Sequence, residues 1–308
     1  MKELKALIKR DTKLFFKDKG MFFTSLITPV ILLVLYATFL ANVYKDSFTG
    51  AIPEAFPVDE GLIDGCVGGQ LFSSLLAVCC VTVAFCSNML MVQDKVNGTR
   101  NDLTITPVKS WALAMGYYLS TLITTLIICY VAMGVCFIYI RFTGWYITAS
   151  DVLMIMLDIF LLSLFGTALS SIINLFLSTQ GQISAVGTVV SAGYGFICGA
   201  YMPISQFSEG LQKVLSFLPG TYGTSLLRNH ALRGVFEEMG NVGFPDEVVE
   251  AIRDSVDCNI YFFGDKVELP SMYLVLIAAI VVAVGLYVVM NLLSSTLKTP
   301  KRKNSSSH

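Results

Sequence analysis

Apolar residues dominate six stretches of this chain, and polar or charged segments separate them. Each stretch holds about 20 or more mostly apolar residues, the length that an α-helix needs to cross the hydrocarbon core of a bilayer. The pattern therefore predicts an all-α, polytopic membrane protein with six transmembrane helices. The predicted spans cover residues 21–44, 67–91, 112–140, 152–177, 183–202 and 271–297.

Basic residues collect on one side of these predicted spans. Residues 1–20, the loop 93–110 and the tail after 297 together hold 14 Lys or Arg and five Asp or Glu, whereas the opposite segments hold seven basic and sixteen acidic residues. Because Lys and Arg that flank transmembrane helices stay in the cytoplasm, the first set is predicted to be cytoplasmic. The even number of spans then puts both termini in the cytoplasm, and we expect the chain to lie in the plasma membrane.

The segment 1–19 places apolar residues on one helical face and most of its lysines on the other. Such a stripe predicts an N-terminal amphipathic helix lying in the membrane interface. The alternative is a basic flank that only sets the topology and needs no helix. The apolar positions are Leu4, Leu7, Ile8, Leu14 and Phe15.

Two segments on the opposite side are longer than a short connection. An acidic, proline-containing loop is expected over 46–65. In the extracellular region 203–270, apolar residues at three- and four-residue spacing are interrupted by Pro219, which predicts short re-entrant helices before the last span, followed by an acidic cap. The polar tail 298–308 predicts a disordered cytoplasmic end, so residues 1–308 are predicted to form a single transmembrane domain.

Composition supports the membrane assignment and narrows the chemistry. Hydrophobic residues make up 55% of the chain and charged residues 14%, with a mean hydropathy of +0.69. The net charge of −1 gives no indication of a nucleic-acid partner, and two histidines leave little for a metal site. No Ser/His/Asp set or pair of intramembrane carboxylates predicts catalysis. We therefore expect neither catalytic residues nor a metal.

The eight cysteines are mostly part of apolar runs, where they act as small hydrophobic residues. Only Cys66 and Cys258 fall in segments predicted to lie outside. A disulfide between them is chemically possible if the exterior is oxidising. The sequence does not show whether the two residues are close enough to be bonded.

The loop 93–110 contains charged helix-forming residues, a Gly-Thr pair and a Thr-Pro-Val sequence. This pattern resembles the coupling segment of type-2 ABC exporter permeases, the transmembrane subunits of ATP-binding-cassette transporters of the multidrug and antibiotic exporter kind. The chain departs from the family at Gln93-Asp94-Lys95, where a Glu-Arg-Glu-rich start is usual. The matching residues are Asp94, Gly98, Thr99, Leu103, Thr106, Pro107, Val108 and Trp111.

A second match to the same family begins at the end of the fifth predicted span. The family's closing signature runs through Ser-Gly, a Pro, an amphipathic helix, Leu-Pro, Thr-Tyr and a late Leu-Arg. Together with the N-terminal arm and the six spans, the resemblance covers nearly the whole chain. The matching residues are Gly199, Pro203, Leu211, Leu218, Pro219, Thr221, Tyr222, Leu227 and Arg228.

The resemblance implies a permease subunit that moves an amphiphilic substrate, such as a drug, a peptide antibiotic or a lipid or glycolipid, out of the cell by ATP-driven alternating access. The sequence contains no G-x-x-x-x-G-K-[ST] phosphate loop. We therefore expect this chain not to be an enzyme and to bind no cofactor itself. A separate ABC-type ATPase subunit would bind ATP and Mg, and the other expected partners are a second permease copy or a homologous permease and the lipid bilayer.

Small residues recur every fourth position in the fifth predicted span, at Gly187, Ser191, Gly195 and Gly199. Such a face lets helices approach closely, and it predicts either ordinary packing or a wall of the translocation path. Asp158 lies within the fourth predicted span, where a carboxylate is costly unless it is paired or hydrated. It is either a functional residue or a water-accessible one near the outer end of the span.

Two other classes of protein remain open on the sequence. An ion- or proton-coupled secondary transporter would have inverted repeats and charges near the middle of the membrane, and this chain has no detectable repeat and one such acid. A membrane enzyme or receptor with an extracellular cap is the third possibility, but no catalytic set supports it.

Overall fold

The computed structural model describes residues 2–51, 60–106 and 108–297. Two sequence predictions, the role of Pro107 and the disordered tail 298–308, lie outside the described residues. Within them the fold is almost entirely helical, with one small two-stranded hairpin. The helices are α1 (Lys2–Lys17), α2 (Lys19–Leu35), α3 (Ala41–Ala51), α4 (Glu60–Val96), α5 (Thr99–Ile105), α6 (Ser110–Thr143), α7 (Ala149–Phe176), α8 (Gln180–Ile197), α9 (Glu209–Leu215), α10 (Pro219–Val242), α11 (Asp246–Ser255) and α12 (Leu269–Leu297).

Short irregular elements connect some of these helices. A π-helical turn, Tyr36–Leu40, joins α2 to α3, and a 3₁₀ turn, Ile204–Gln206, precedes α9. Strands β1 (Tyr261–Phe262) and β2 (Asp265–Lys266) form an antiparallel hairpin between α11 and α12.

Five helical segments among the described residues are long and apolar enough to cross a membrane. They correspond to the first four predicted spans and the last one. The fifth predicted span, 183–202, corresponds to α8, which has only 18 residues. Gln180, Gln182 and several glycines lower the hydropathy of α8, so the six-helix count stays a prediction. The five segments are Lys19–Gly50, Glu60–Val96, Ser110–Phe142, Ala149–Phe176 and Leu269–Asn291.

Helix α4 is the central element of the bundle. It contacts α2, α6, α7, α8 and α10 and is buried around nearly its whole circumference. It begins at Glu60, so the predicted loop 46–65 is wrong at both ends: α3 continues to Ala51, and α4 starts seven residues earlier than the predicted span. The acidic residues of these extensions, Asp46, Glu60 and Asp64, are exposed or half-buried, so the two helices simply continue past the apolar stretches and keep their charges in contact with solvent.

The largest correction concerns α10. For 203–270 the sequence predicts short re-entrant helices followed by an acidic cap, but α10 has 24 residues and packs inside the bundle against α4, α7 and α12. Its low hydropathy is compatible with burial because protein surrounds it. Its glycines allow close approach: a Cβ at Gly223 would lie 2.7 Å from Leu162 Cδ1. Helix α9, with seven residues, fits the predicted short helix, and α11, with ten, falls in the predicted acidic cap.

The remaining elements define the two ends of the bundle. The N-terminal segment is helical, as its apolar stripe predicts. The helix, α1, buries Leu7, Asp11 and Phe15 while most of its lysines are exposed. We call the end of the bundle that carries α1 and α5 the arm end. The opposite end, where α9, α11 and the hairpin lie, we call the cap end.

Gly166 provides a test of the packing between α4 and α7. A Cβ at Gly166 would lie 2.8 Å from the carbonyl oxygen of Cys80 and 3.1 Å from Val81 Cα, so any larger side chain meets backbone that cannot move aside. We expect Gly166→Leu to destabilise the protein by about 1–3 kcal/mol or more, because the overpacked helices must separate.

The measurement is the midpoint of thermal unfolding of the purified protein in detergent. Gly134→Leu is the matched control, since a Cβ at Gly134 of α6 meets no atom within 4 Å. Equal losses of stability in the two variants would contradict the close α4–α7 contact.

Candidate functional site

The arm end carries a short helix, α5, in the middle of the predicted coupling segment. The chain leaves α4 through Gly98, whose φ of +80° lies in the left-handed region that glycine adopts without strain. Thr99 begins the helix. At its other end Thr106 is extended, and its hydroxyl donates to the carbonyl of Leu103 at 2.6 Å. The Gly-Thr and Leu–Thr matches therefore lie at the two ends of one short helix.

The two faces of α5 have different surroundings. Leu103 and Val108 pack against a buried cluster in which Leu7 of α1 and Tyr117 of α6 take part. The opposite face is exposed, and Ile105 at its tip is 84% exposed. An apolar side chain held on a fixed turn in this way is suited to contact another protein.

Ile105 was missed by the sequence analysis, although a signal was present. It follows Leu103 by two positions, which on an α-helix is about 200° of rotation, so an inward Leu103 implies an outward Ile105. Leu103 is one of the residues that match the family motif, and Ile105 is not.

Asp94 does not lie on this exposed surface. Its carboxylate is buried and accepts hydrogen bonds from Arg10 Nη1 at 2.8 Å, Arg10 Nη2 at 3.1 Å and the Tyr117 hydroxyl at 2.7 Å. The bidentate pair with Arg10 is a strong, oriented interaction. Asp94 therefore joins α1 and α6 to the end of α4, and its predicted part in ATPase coupling stays a prediction.

A second fastening lies one residue further along α4. Lys95 Nζ donates to the carbonyls of Asn174, Leu175 and Leu177, at 2.9, 3.0 and 3.2 Å. These carbonyls belong to the last turn of α7, which an ammonium group stabilises both by hydrogen bonding and by its charge. Consecutive residues of α4 thus connect the base of α5 to α1 and α7.

Residues of the closing signature come together around Arg228 at the cap end. This fully buried guanidinium donates to the carbonyl of Gly199 at 2.5 Å and pairs with Asp257 at 3.1 Å. Asp257 also accepts from the backbone N–H groups of Ile204 and Ser205, at 2.7 and 3.1 Å. The arrangement joins the segment after α8 to α10 and to the end of α11.

The same cluster explains the glycine and the proline of the signature. Gly199 has φ +67°, and a Cβ there would lie 2.7 Å from Asp257 Oδ2. Pro203 is buried and directly precedes the 3₁₀ turn that contacts Asp257. Asp257 itself, with φ +55°, lies beyond the matched motif, and the sequence analysis did not select it.

The Leu218-Pro219 and Tyr222 positions form the joint between α9 and α10. Leu218 is the N-cap and Pro219 begins α10, where a missing N–H costs little. The Tyr222 hydroxyl donates to the carbonyl of Ser216 at 2.6 Å, and the Thr221 hydroxyl donates to Leu215 at 3.0 Å. These contacts fix the turn between the two helices.

The small-residue face of α8 does not contact a single partner helix. A Cβ at Gly187 would meet the side-chain end of Met89, whereas Gly195 faces the ring of Tyr201. Gly199 belongs to the Arg228 cluster, and Ser191 is half-buried. The three glycines therefore have separate close neighbours rather than one shared partner helix.

Asp158 is fully buried and paired, so it is not a water-accessible residue near the end of its helix. Its two carboxylate oxygens contact His230 Nδ1 of α10 and the hydroxyl of Tyr273 of α12, each at 2.6 Å. The sequence analysis did not select His230 or Tyr273, because 72 and 115 residues separate them from Asp158.

The two cysteines considered for a disulfide are both buried in one cluster at the cap end. That cluster also contains residues of α10 and α11. Both are free thiols in the structure, so the disulfide stays a prediction. Within the described ranges no group of three or more His, Cys, Asp or Glu is placed to hold a metal ion.

Apolar helices of membrane-spanning length, with a short helix presented at one end on a buried network, define a polytopic membrane protein of the transporter permease class. A family model described as "ABC-2 type transporter" matches residues 2–231, which include both motifs. The chain therefore belongs to the ABC-2 transporter family, as a permease subunit rather than the ATPase. No curated protein and no solved structure gives a significant match.

Asp11 gives the arm end a testable pH dependence. Burial raises the pKa of its carboxyl group to about 7, aided by the nearby Asp94 and opposed by Arg10, and its Oδ2 atom has no partner. The folded state therefore holds a proton that the unfolded chain loses near its ordinary value of 3.8. The contribution of Asp11 to stability is full below pH 4, falls as the pH rises toward 7 and then levels off.

We expect Asp11→Asn to remove roughly 2 kcal/mol of the difference in stability between pH 5 and pH 8. The measurement is the thermal unfolding midpoint at both pH values. Asp102→Asn, on the exposed face of α5, is the control and should keep the wild-type pH dependence. An unchanged pH dependence in Asp11→Asn would show that Asp11 is ionised in the fold.

Proposed function

We propose that this chain is the membrane-spanning subunit of an ABC exporter that moves an amphiphilic substrate, such as a drug, a peptide antibiotic or a lipid or glycolipid, out of the cell. The observation that carries the proposal is α5, a fixed helical turn with an exposed apolar tip. Membership of the ABC-2 family supports an ATPase partner in general. In this proposal the partner subunit binds ATP and Mg, and α5 receives its movement.

The contacts around α5 provide a route for that movement. A push on Ile105 reaches Leu103 and the cluster with Leu7, while Asp94 and Lys95 transmit displacement of the end of α4 to α1 and α7. Rigid helices joined by a few strong contacts move together, which is the requirement for rocking between inward and outward states. In this mechanism Gly98, Thr99, Thr106 and Val108 shape the turn rather than contact the ATPase through specific polar groups.

Sidedness and assembly form part of the same proposal. The arm end is cytoplasmic together with both termini, the cap end is extracellular, and the membrane is the plasma membrane. Helix α8 completes six spans. Its exposed apolar residues, Val189 at 71% and Phe196 at 51%, support a position against lipid or against a second permease copy or a homologous permease.

Ile105 provides the direct test of ATPase coupling. Replacing a central apolar contact with a charge commonly costs at least about 2 kcal/mol of binding, or roughly thirtyfold in affinity. We therefore expect Ile105→Glu to reduce substrate-stimulated ATP hydrolysis by at least about tenfold when the permease is reconstituted with its ATPase subunit. Stimulated hydrolysis and co-purification of the two subunits are the measurements.

Phe142→Glu is the matched control, because Phe142 is 85% exposed but lies on α6 at the opposite end of the bundle. This variant should leave the amount of ATPase that copurifies with the permease unchanged. Wild-type stimulation of ATP hydrolysis in Ile105→Glu would contradict the proposed contact at α5.

A proton-coupled secondary transporter is the second candidate function, and the buried group of Asp158, His230 and Tyr273 favours it. These three side chains join α7, α10 and α12 and include two groups that can exchange protons. Under the ABC proposal they act as an interhelical contact.

Proteoliposomes that contain this chain without any ATPase distinguish the two functions. Export driven by a pH gradient and abolished in Asp158→Asn would support the second function and contradict the first. We expect instead that transport requires ATP and the ATPase subunit, and that it persists in Asp158→Asn.

A further inference from the structure

A large apolar cleft lies between α2, α4 and α6, away from both motif regions. Its volume is about 810 Å³, which is in the range of small-molecule and cofactor sites. The lining residues are Phe16, Phe22, Leu26, Pro29, Val30, Leu33, Tyr36, Ala41, Leu71, Leu75, Cys79, Ile127, Ile128, Val131, Ala132, Val135, Cys136 and Tyr139.

The cleft opens sideways from the bundle. Its floor is formed by residues of α4 such as Leu75 and Cys79, which are at most 3% exposed. Its rims are exposed, with Val30 on α2 at 51% and Val131 and Val135 on α6 at 63% and 61%. Since all three walls belong to helices of membrane-spanning length and composition, the opening faces hydrocarbon.

The cleft is long enough to hold a lipid chain that enters from the arm end. From Phe22 to Tyr36 the α2 wall rises about 21 Å at 1.5 Å per residue, compared with about 15 Å for the hydrocarbon of one leaflet. The far end is bounded by the Tyr36 ring, whose hydroxyl donates to the carbonyl of Val67 and which stacks on Tyr44 with ring centroids 5.8 Å apart. With its hydroxyl satisfied, Tyr36 presents an apolar surface.

Positive charge lies beside the near end. Phe16 and Phe22 line this end, and the chain between them carries the exposed residues Lys17 and Lys19. Asp18 lies between the two lysines, but its carboxylate accepts from the backbone N–H of Met21 and caps α2. Among the described residues, no acidic group lies within salt-bridge distance of either lysine.

We infer that the cleft binds an anionic phospholipid, with one acyl chain against Leu75 and Cys79 and the headgroup phosphate at Lys17 and Lys19. A slot lined mainly by aliphatic and aromatic carbon suits a hydrocarbon chain, and two adjacent cations suit a phosphate. The acyl chain lies between α2, α4 and α6 and the headgroup lies where α1 meets α2, so binding stabilises the position of the arm. The inference does not depend on the proposed export function.

The test uses the purified full-length chain, reconstituted in phosphatidylcholine vesicles with or without phosphatidylglycerol and then extracted in mild detergent. Native mass spectrometry counts the lipids retained on the protein. We expect the wild type to retain phosphatidylglycerol in preference to phosphatidylcholine. Val131→Trp, which fills the cleft, should reduce the retained lipid by about tenfold, or about 1.4 kcal/mol.

Matched controls separate this site from ordinary boundary lipid. Ile138→Trp adds the same ring to α6 at a residue that is 64% exposed and outside the cleft, so it should retain lipid like the wild type. Lys17→Gln with Lys19→Gln should reduce the preference for phosphatidylglycerol by about fivefold per lysine. Lys5→Gln with Lys9→Gln removes the same charge from the other end of α1 and should keep the preference.

Three results would overturn the inference. Equal lipid retention in Val131→Trp and Ile138→Trp would mean that the lipid is boundary lipid only. Retention without headgroup preference in the wild type would remove the role of Lys17 and Lys19. A change in self-association in Val131→Trp without a change in lipid would assign the cleft to a second copy of the chain.

Discussion

The burial of α4 is the constraint on which the rest of the structure depends. Because protein surrounds this helix, its polar groups bond mostly within the chain: Ser73 and Thr82 bond to carbonyls of α4 itself, and the bonds that leave the helix select a neighbour. Asn88 donates to the hydroxyls of Ser170 and Ser171 on α7, at 3.1 and 2.8 Å. Asp94 selects α1 and α6 through Arg10 and Tyr117. In a membrane, where burial of apolar surface between helices contributes little, such polar contacts and close packing determine which helices associate.

The two motif regions have different physical roles. At the arm end, a glycine turn, an inward leucine and an outward isoleucine are enough to present an apolar side chain at the tip of α5. The polar residues next to it, Asp94 and Lys95, face inward and connect the turn to neighbouring helices. At the cap end, Arg228 is an internal cross-link that ties the segment after α8 to α10 and α11 through Gly199 and Asp257. Removing one partner of such a buried pair would leave an uncompensated charge, which is costly.

Hydropathy and burial disagree at α8 and α10. Helix α10 is polar enough to be taken for part of an external region, yet it is enclosed by α4, α7 and α12. Helix α8 is more apolar and contacts α4 along one side, while much of its surface is exposed. The side chains of α10 can be polar because their hydroxyl and guanidinium groups bond to protein, as the Ser225 hydroxyl does to the carbonyl of Cys258 at 2.7 Å. A hydropathy pattern measures preference for lipid over water and does not register a protein neighbour.

The sequence by itself determined the class of the protein, the positions of five membrane-length helices and the helix formed by the N-terminal arm, because apolar length and helical periodicity are local properties. It also located α5, since a glycine turn followed by a short helix is encoded within a few residues. Only the tertiary structure decided that Asp94 is buried rather than exposed, that Ile105 forms the tip, that Asp158 pairs with His230 and Tyr273, and that a cleft opens between α2 and α6. Each of these features depends on residues that are far apart in the chain. Helix packing brings those residues together, and hydrophobic periodicity does not specify how the helices pack.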